Sequence, residues 1–219
     1  MPQPLIAVVH TTPASIEPTA DALGEQVPGA RVWNLVDDCL GPDADAAGEM
    51  TPVLRHRMLD LVRHAVTGGA DAVLIVCSMY GDTTAVAEKL FTVPVFSSDA
   101  DMMAEIGRQA PRRIAVLASL RAATADSTAR LRQVLGDTVE VVPAYCAGAS
   151  AAVSAGDHMR LLDELSATVD AAGGGFDMLC LAQYSLSPVT DELAAKTGLP
   201  VVSPPRYAAR AIAHRLAQR

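Results

Sequence analysis

The chain has 219 residues, half of them hydrophobic, with a formal net charge of −8 and a pI near 5.0. That is enough apolar material for one large domain or two of about 100 residues each. An acidic chain without a Lys/Arg cluster suits neither nucleic acid nor an anionic membrane surface, and no apolar run approaches the ~18 residues that span a bilayer.

The N-terminal "MPQPLIAVVHTTP" has no basic leader region and runs straight into a strand, so no signal peptide is expected. Strands are predicted at 4–10, 30–36, 71–77, 93–96, 112–118, 139–144, 176–182 and 199–203. Most are apolar at consecutive positions rather than alternately, the pattern of parallel strands covered on both faces. Segments of helical period lie between them, such as 51–66, with Pro52 just inside its start and Gly68-Gly69 after its end, and 156–172. The small-residue run "CAGASAAVSAG" (146–156) reads as a short helix with loops. Alternating strands and helices imply an α/β architecture with right-handed crossovers.

The chain repeats itself. Asp71 set over Asp177 lays "DAVLIVCSMYG" on "DMLCLAQYSLS", Cys77 on Gln183, Pro94 on Pro200 and Ser97 on Ser203, each pair 106 positions apart. "IAVVHTT" from Ile6 matches "IAVLASL" from Ile114 at 108. This predicts two similar lobes, each a parallel sheet flanked by helices, pseudo-two-fold related with a cleft between them. The expected division is 1–98, with 204–219 packing back on it, and 99–203. Parallel sheets bind ligands at the carboxyl ends of their strands. Those ends carry His10, Thr11, Thr12, Cys77, Ser78, Met79 and Tyr80 in one lobe, and Ser119, Arg121, Thr124, Gln183, Tyr184 and Ser185 in the other. Hydroxyls and amides beside helix starts suit a small carboxylate.

Four cysteines, Cys39, Cys77, Cys146 and Cys180, form no CxxC pair, so no metal is expected and free thiols in a reducing cytoplasm are the default. Cys39, Cys146 and Cys180 read as packing residues. Cys77 has two readings. A free cysteine at a strand end is a common buried filler, and a thiol just before a helix is favoured as thiolate. There is no GxGxxG, P-loop or GxSxG motif.

"VLIVCSMYG", "LCLAQYSLSPV", "RRIAVLASLRAAT" and "GLPVVSPP" together resemble the aspartate/glutamate racemase superfamily, which includes hydantoin racemases, maleate isomerases and arylmalonate decarboxylases. The resemblance spans the whole chain. It implies a cofactor-independent racemase or isomerase acting on a small carboxylate or carbonyl compound, with no metal and a homodimer as the expected assembly. In that superfamily one thiolate removes a proton from carbon and a second thiol delivers one to the opposite face. Here the first cysteine is kept as Cys77 and the second position is Gln183, which neither takes nor gives a proton at useful pH. One-base proton transfer, covalent addition with cis–trans isomerisation, and decarboxylation with Cys77 as proton donor therefore stay open, as does a binding protein without catalysis. The expected catalytic set is Cys77, Gln183 and Tyr184. The expected binding set is His10, Thr11, Thr12, Ser78, Met79, Tyr80, Ser119, Arg121, Thr124 and Ser185.

Overall fold

The computed structural model describes residues 3–218, with the Asp45 side chain outside the described set. The chain divides into two compact units, one formed by residues up to Ala100 together with Pro205 onward, the other by Asp101–Pro204.

In the first unit the elements are β1 (Leu5–His10), α1 (Ile16–Gln26), β2 (Arg31–Val36), α2 (Leu40–Ala47), α3 (Pro52–Thr67), β3 (Ala72–Val76), α4 (Gly81–Leu90) and β4 (Val95–Phe96). In the second they are α5 (Ala100–Gln109), β5 (Arg113–Ala118), α6 (Arg121–Leu135), β6 (Glu140–Tyr145), α7 (Ala149–Ala155), α8 (His158–Ala171), β7 (Met178–Leu181), α9 (Thr190–Thr197) and β8 (Val201–Val202). The last helix, α10 (Pro204–Ala217), returns the chain to the first unit.

Each unit holds a four-stranded, wholly parallel sheet. The strand orders are β2-β1-β3-β4 and β6-β5-β7-β8, the same winding twice. The eight predicted strands are these eight, most of them shortened at their ends, while β6 starts and finishes one residue later than predicted. The two sequence offsets appear directly in the pairing: Ile6 pairs with Ala72 and Ile114 with Met178, so β1 and β5 differ by 108 while β3 and β7 differ by 106.

The central strands are fully buried: every residue of β1 and β3 is buried, and so is every residue of β7. Consecutive apolar residues follow from this, because helices cover both faces and neither face needs polar side chains. In unit 1 the row Ala7, Val9, Val73 and Ile75 packs against Leu54, Met58 and Val62 of α3. In unit 2 the row Ala115, Leu117, Leu179 and Leu181 packs against Leu161, Leu165 and Val169 of α8. Each such side chain contributes about 1.5–3 kcal/mol when fully buried.

The helix signals have physical partners. Thr51 Oγ1 accepts from Leu54 N–H, with Pro52 in the first turn. Gly68 ends α3 where a Cβ would lie 2.5 Å from Trp33 Cζ3, so only glycine lets the helix end against that ring. Asp157 caps α8 by accepting from Arg160 N–H.

The amino ends of the sheets are tied in the same way. Asp71 Oδ2 accepts from Leu5 N–H at 2.8 Å, and Asp177 Oδ2 accepts from Arg112 and Arg113 N–H at 2.8 and 3.1 Å. These hydrogen bonds, with the Arg112 amide first, hold the Asp177 carboxyl below its usual range.

Candidate active site

Cys77 is the residue after β3, and Gln183 lies two residues after β7. Continuing the registers Val9↔Ile75 and Leu117↔Leu181 sets Thr11 beside Cys77 and Ser119 beside Gln183. The two ends share a backbone form. Cys77 has φ −162° and ψ 118°, and Gln183 has φ −134° and ψ 143°, both extended. Each opens a 3-10 turn, Ser78–Tyr80 or Tyr184–Val189, that leads without interruption into α4 or α9. Tyr80 N–H donates to the Cys77 carbonyl at 3.1 Å, and Leu186 N–H to the Gln183 carbonyl at 3.2 Å.

Cys77 is half-buried and packs on the rim of the unit 1 core. Gln183 is half-buried too, and its side chain is held. Its Oε1 accepts from Ser119 N–H at 2.6 Å and from Ser119 Oγ at 3.0 Å. The Ser119 carbonyl in turn accepts from Ser150 Oγ at 3.0 Å.

The other expected site residues divide by environment. His10 is fully buried, with Nδ1 against Ser15 Oγ at 2.7 Å and Nε2 against Asn34 Oδ1 at 2.9 Å. Both ring nitrogens are engaged, so His10 is corrected from a substrate ligand to a structural histidine. Burial first lowers its pKa, partly offset by the Asn34 hydrogen bond. Tyr80 is 1% exposed and belongs to the unit 1 core, so it too is corrected from a substrate contact to a packing residue. Burial pushes its phenol up, and the neighbouring Cys77 charge adds to this. The Thr124 hydroxyl donates to the carbonyl of Leu120, the residue just before its helix, at 2.8 Å. Thr11, Ser119 and Tyr184 are buried; Ser78, Met79 and Ser185 are half-buried. Thr12 is exposed and its Oγ1 caps the turn at Ala14. Arg121 is exposed, with its guanidinium 4.3 Å over the Tyr145 ring.

Two features had no sequence signal. Ser150 lies in the small-residue run, where no periodicity marks one serine over another. Asn34 sits in a half-exposed edge strand, remote in sequence from the histidine it supports.

Of the remaining cysteines, Cys146 and Cys180 are buried in unit 2 as expected, whereas Cys39 is exposed and not a packing residue. Its β2 strand is an edge strand with exposed positions, so the segment that follows has no core to enter. Asp37, Asp38 and Cys39 bring three ligand atoms within 4.8 Å of one another. Both Asp37 oxygens, however, accept from Arg57 at 2.7 Å, and Arg57 also holds Asp43. The carboxylate charge is spent on the guanidinium rather than left for a cation.

Solved racemases and an arylmalonate decarboxylase share this fold of two four-stranded parallel sheets flanked by helices. A glutamate racemase from Bacillus anthracis superposes with a TM-score of 0.77 at 12% identity, over 98% of this chain and 82% of its own. Allantoin racemase from Klebsiella pneumoniae gives a TM-score of 0.69 at 14% identity, over 99% and 89%. A glycine-to-cysteine mutant of arylmalonate decarboxylase, in a sulfate-associated form, gives 0.65 at 21% identity, over 98% and 94%. Neither a protein-family model nor a curated protein matches the chain. Among the described residues no helix is long and apolar enough to cross a membrane.

Proposed function

We propose that this protein is a cofactor-independent racemase- or isomerase-type enzyme acting on a small carboxylate or carbonyl compound, with Cys77 as its thiolate base or nucleophile. The observation that carries this is the position of Cys77: a half-buried thiol in extended backbone, past the end of a central parallel strand, at the start of a turn that becomes α4. Carboxyl ends of parallel strands are where such folds bind ligands, and a thiol there is accessible without being surrendered to solvent. Similarity to racemases in fold supports the reaction class.

The chemistry demands two things. A proton α to a carboxylate is weakly acidic, so a base must meet it and donors must hold the enolate oxygens as charge moves onto them. Cys77 is the base; Ser78 and the backbone amides of the turn that follows it are the donors for carboxylate oxygens. The carbon–hydrogen bond breaks, its electron pair moves into the carboxylate, and the proton rests on sulfur until it returns.

The test is a panel of chiral α-substituted carboxylates, hydantoins, maleate and malonates in D₂O. One class should take up deuterium at carbon, and Cys77→Ala should cut the rate by at least about 10³-fold, the scale of losing a general base together with its contacts. Full exchange in Cys77→Ala, or none with the native protein, overturns the proposal.

A second reading has one specific support. The decarboxylase structures share 20–21% identity with this chain, against 10–15% for the racemases. There a malonate would lose CO₂, the carbanion left behind taking its proton from the Cys77 S–H. Release of CO₂ from the malonates of the same panel separates the two.

A further inference from the structure

We propose that His10 is a positioning residue for the thiol end of unit 1: through Ser15 it fixes the turn Thr11–Ser15 that stands beside Cys77. The role rests on the reading of Cys77 as base or nucleophile and names what holds one wall of that site within the same unit.

The turn begins where β1 ends, and the register that pairs His10 with Val76 carries Thr11 to Cys77. Its own hydrogen bonds are long. Ser15 N–H donates to the Thr12 carbonyl at 3.3 Å, and Ala14 N–H to Thr12 Oγ1 at 3.4 Å. The bonds that run through the ring are short. His10 Nδ1 meets Ser15 Oγ at 2.7 Å, and that oxygen lies 2.8 Å from the Thr12 carbonyl. On the other side Nε2 meets Asn34 Oδ1 at 2.9 Å. The ring thus ties edge strand β2 to the turn across the end of β1. A hydroxyl both donates and accepts, so Ser15 serves the ring in either tautomer. His10 is 0% and Ser15 1% exposed, which keeps bulk water from competing for these bonds.

The frame common to the two units does not require this chain. In unit 2 the position of His10 is Ala118, and Pro143 pairs with Val116 where Asn34 pairs with Val8. Neither replacement has a side-chain hydrogen-bonding group, yet the same four-stranded sheet forms. A buried imidazole carries a desolvation cost that alanine does not. The ring stands at the end that carries the thiol, and what it supplies there is position. Cys77 must meet the reacting carbon at contact distance, and an error of about 1 Å in such a placement can cost 10²-fold in rate. A turn free to shift beside the thiol would permit that error.

Asn and Gln separate the anchor from the bulk of the ring. An Asn amide reaches the place of Nδ1 and keeps a bond to Ser15, whereas a Gln amide reaches toward Asn34 and loses it. With whichever substrate the native protein exchanges, His10→Gln should lower kcat for deuterium uptake about 10–10²-fold with KM within about threefold, and His10→Asn should recover most of that loss. Ser15→Ala should behave as His10→Gln does, and the two together should cost no more than either alone. A His10 that merely fills the core would lower Tm and leave kcat per folded molecule native, a result that overturns the proposal. A second measurement does not depend on turnover. In ¹⁵N-labelled protein the Cys77 backbone amide should shift in His10→Gln and in Ser15→Ala, and return toward its native place in His10→Asn. An amide that stays put in all three variants overturns the anchor even if Cys77 is the base. If native protein exchanges nothing yet the amide follows this order, the Cys77 chemistry fails and the anchor stands.

Discussion

The ends of β3 and β7 differ in chemistry while sharing a frame. In each, an extended residue follows two buried apolar ones in its row, Val73 and Ile75 before Cys77, Leu179 and Leu181 before Gln183. In each, a 3-10 turn and a helix come next. The frame is set by residues behind the site, which pack on α3 or α8, and not by the side chain it presents. That separation lets one end carry a thiol and the other an amide, both in extended backbone that opens a 3-10 turn. It also explains why Gln183 is better anchored than an amide at a strand end needs to be: the adjacent strand supplies Ser119 at the position where unit 1 has Thr11.

The sharpest way to break the comparison is Cys77→Ala, with its loss of at least about 10³-fold in exchange. Next in size are the cores that hold the two frames. Met58 and Leu165 are both fully buried, one under each sheet. Met58→Ala and Leu165→Ala should each cost about 2–5 kcal/mol in urea unfolding, and equal costs would show the two frames to be equally rigid.

His10 provides a smaller, pH-dependent contrast, since its position in unit 2 is Ala118. Its folded pKa lies below the usual value, so at acid pH the unfolded chain takes up the proton first. Stability from this group is complete above about pH 6.5 and declines as the pH falls from there toward the folded pKa. Native protein should therefore lose Tm more steeply than His10→Gln between about pH 6.5 and 5, with no difference in slope above pH 7.5. The smallest effect is expected at the amino ends. Asp177 has a lowered pKa, so its contribution is present above the ordinary aspartate value of about 3.9 and is lost as the pH falls through the folded one. Asp177→Asn should lower Tm slightly at pH 7 and flatten its fall below pH 4. Thermal scans of that variant beside Asp71→Asn would show whether the paired amino-end ties carry equal weight.

Much of this was legible in the sequence because it is written in periodicity. Consecutive apolar residues marked buried parallel strands, and the 106 and 108 offsets became strand registers residue for residue. Cys77 and Gln183 were found by their place in that repeat. What escaped was everything that depends on which neighbour a polar side chain meets. His10 looked like a strand-end ligand, and only Ser15 and Asn34 reveal it to be satisfied within the protein. Tyr80 follows the site in sequence but points into the core, because the 3-10 turn swings it there. The Ser150–Ser119–Gln183 chain links three segments that no local pattern connects.

The return of α10 to unit 1 bears on synthesis. Unit 2 is one uninterrupted stretch, Asp101–Pro204, whereas unit 1 includes a helix made after all of unit 2. Domains fold as units while the chain is still growing. On the ribosome, then, the half that carries Gln183 has all its parts first, and the half that carries the thiol gains its last element, α10 with its buried Ala208, Ala209 and Ile212, at the end.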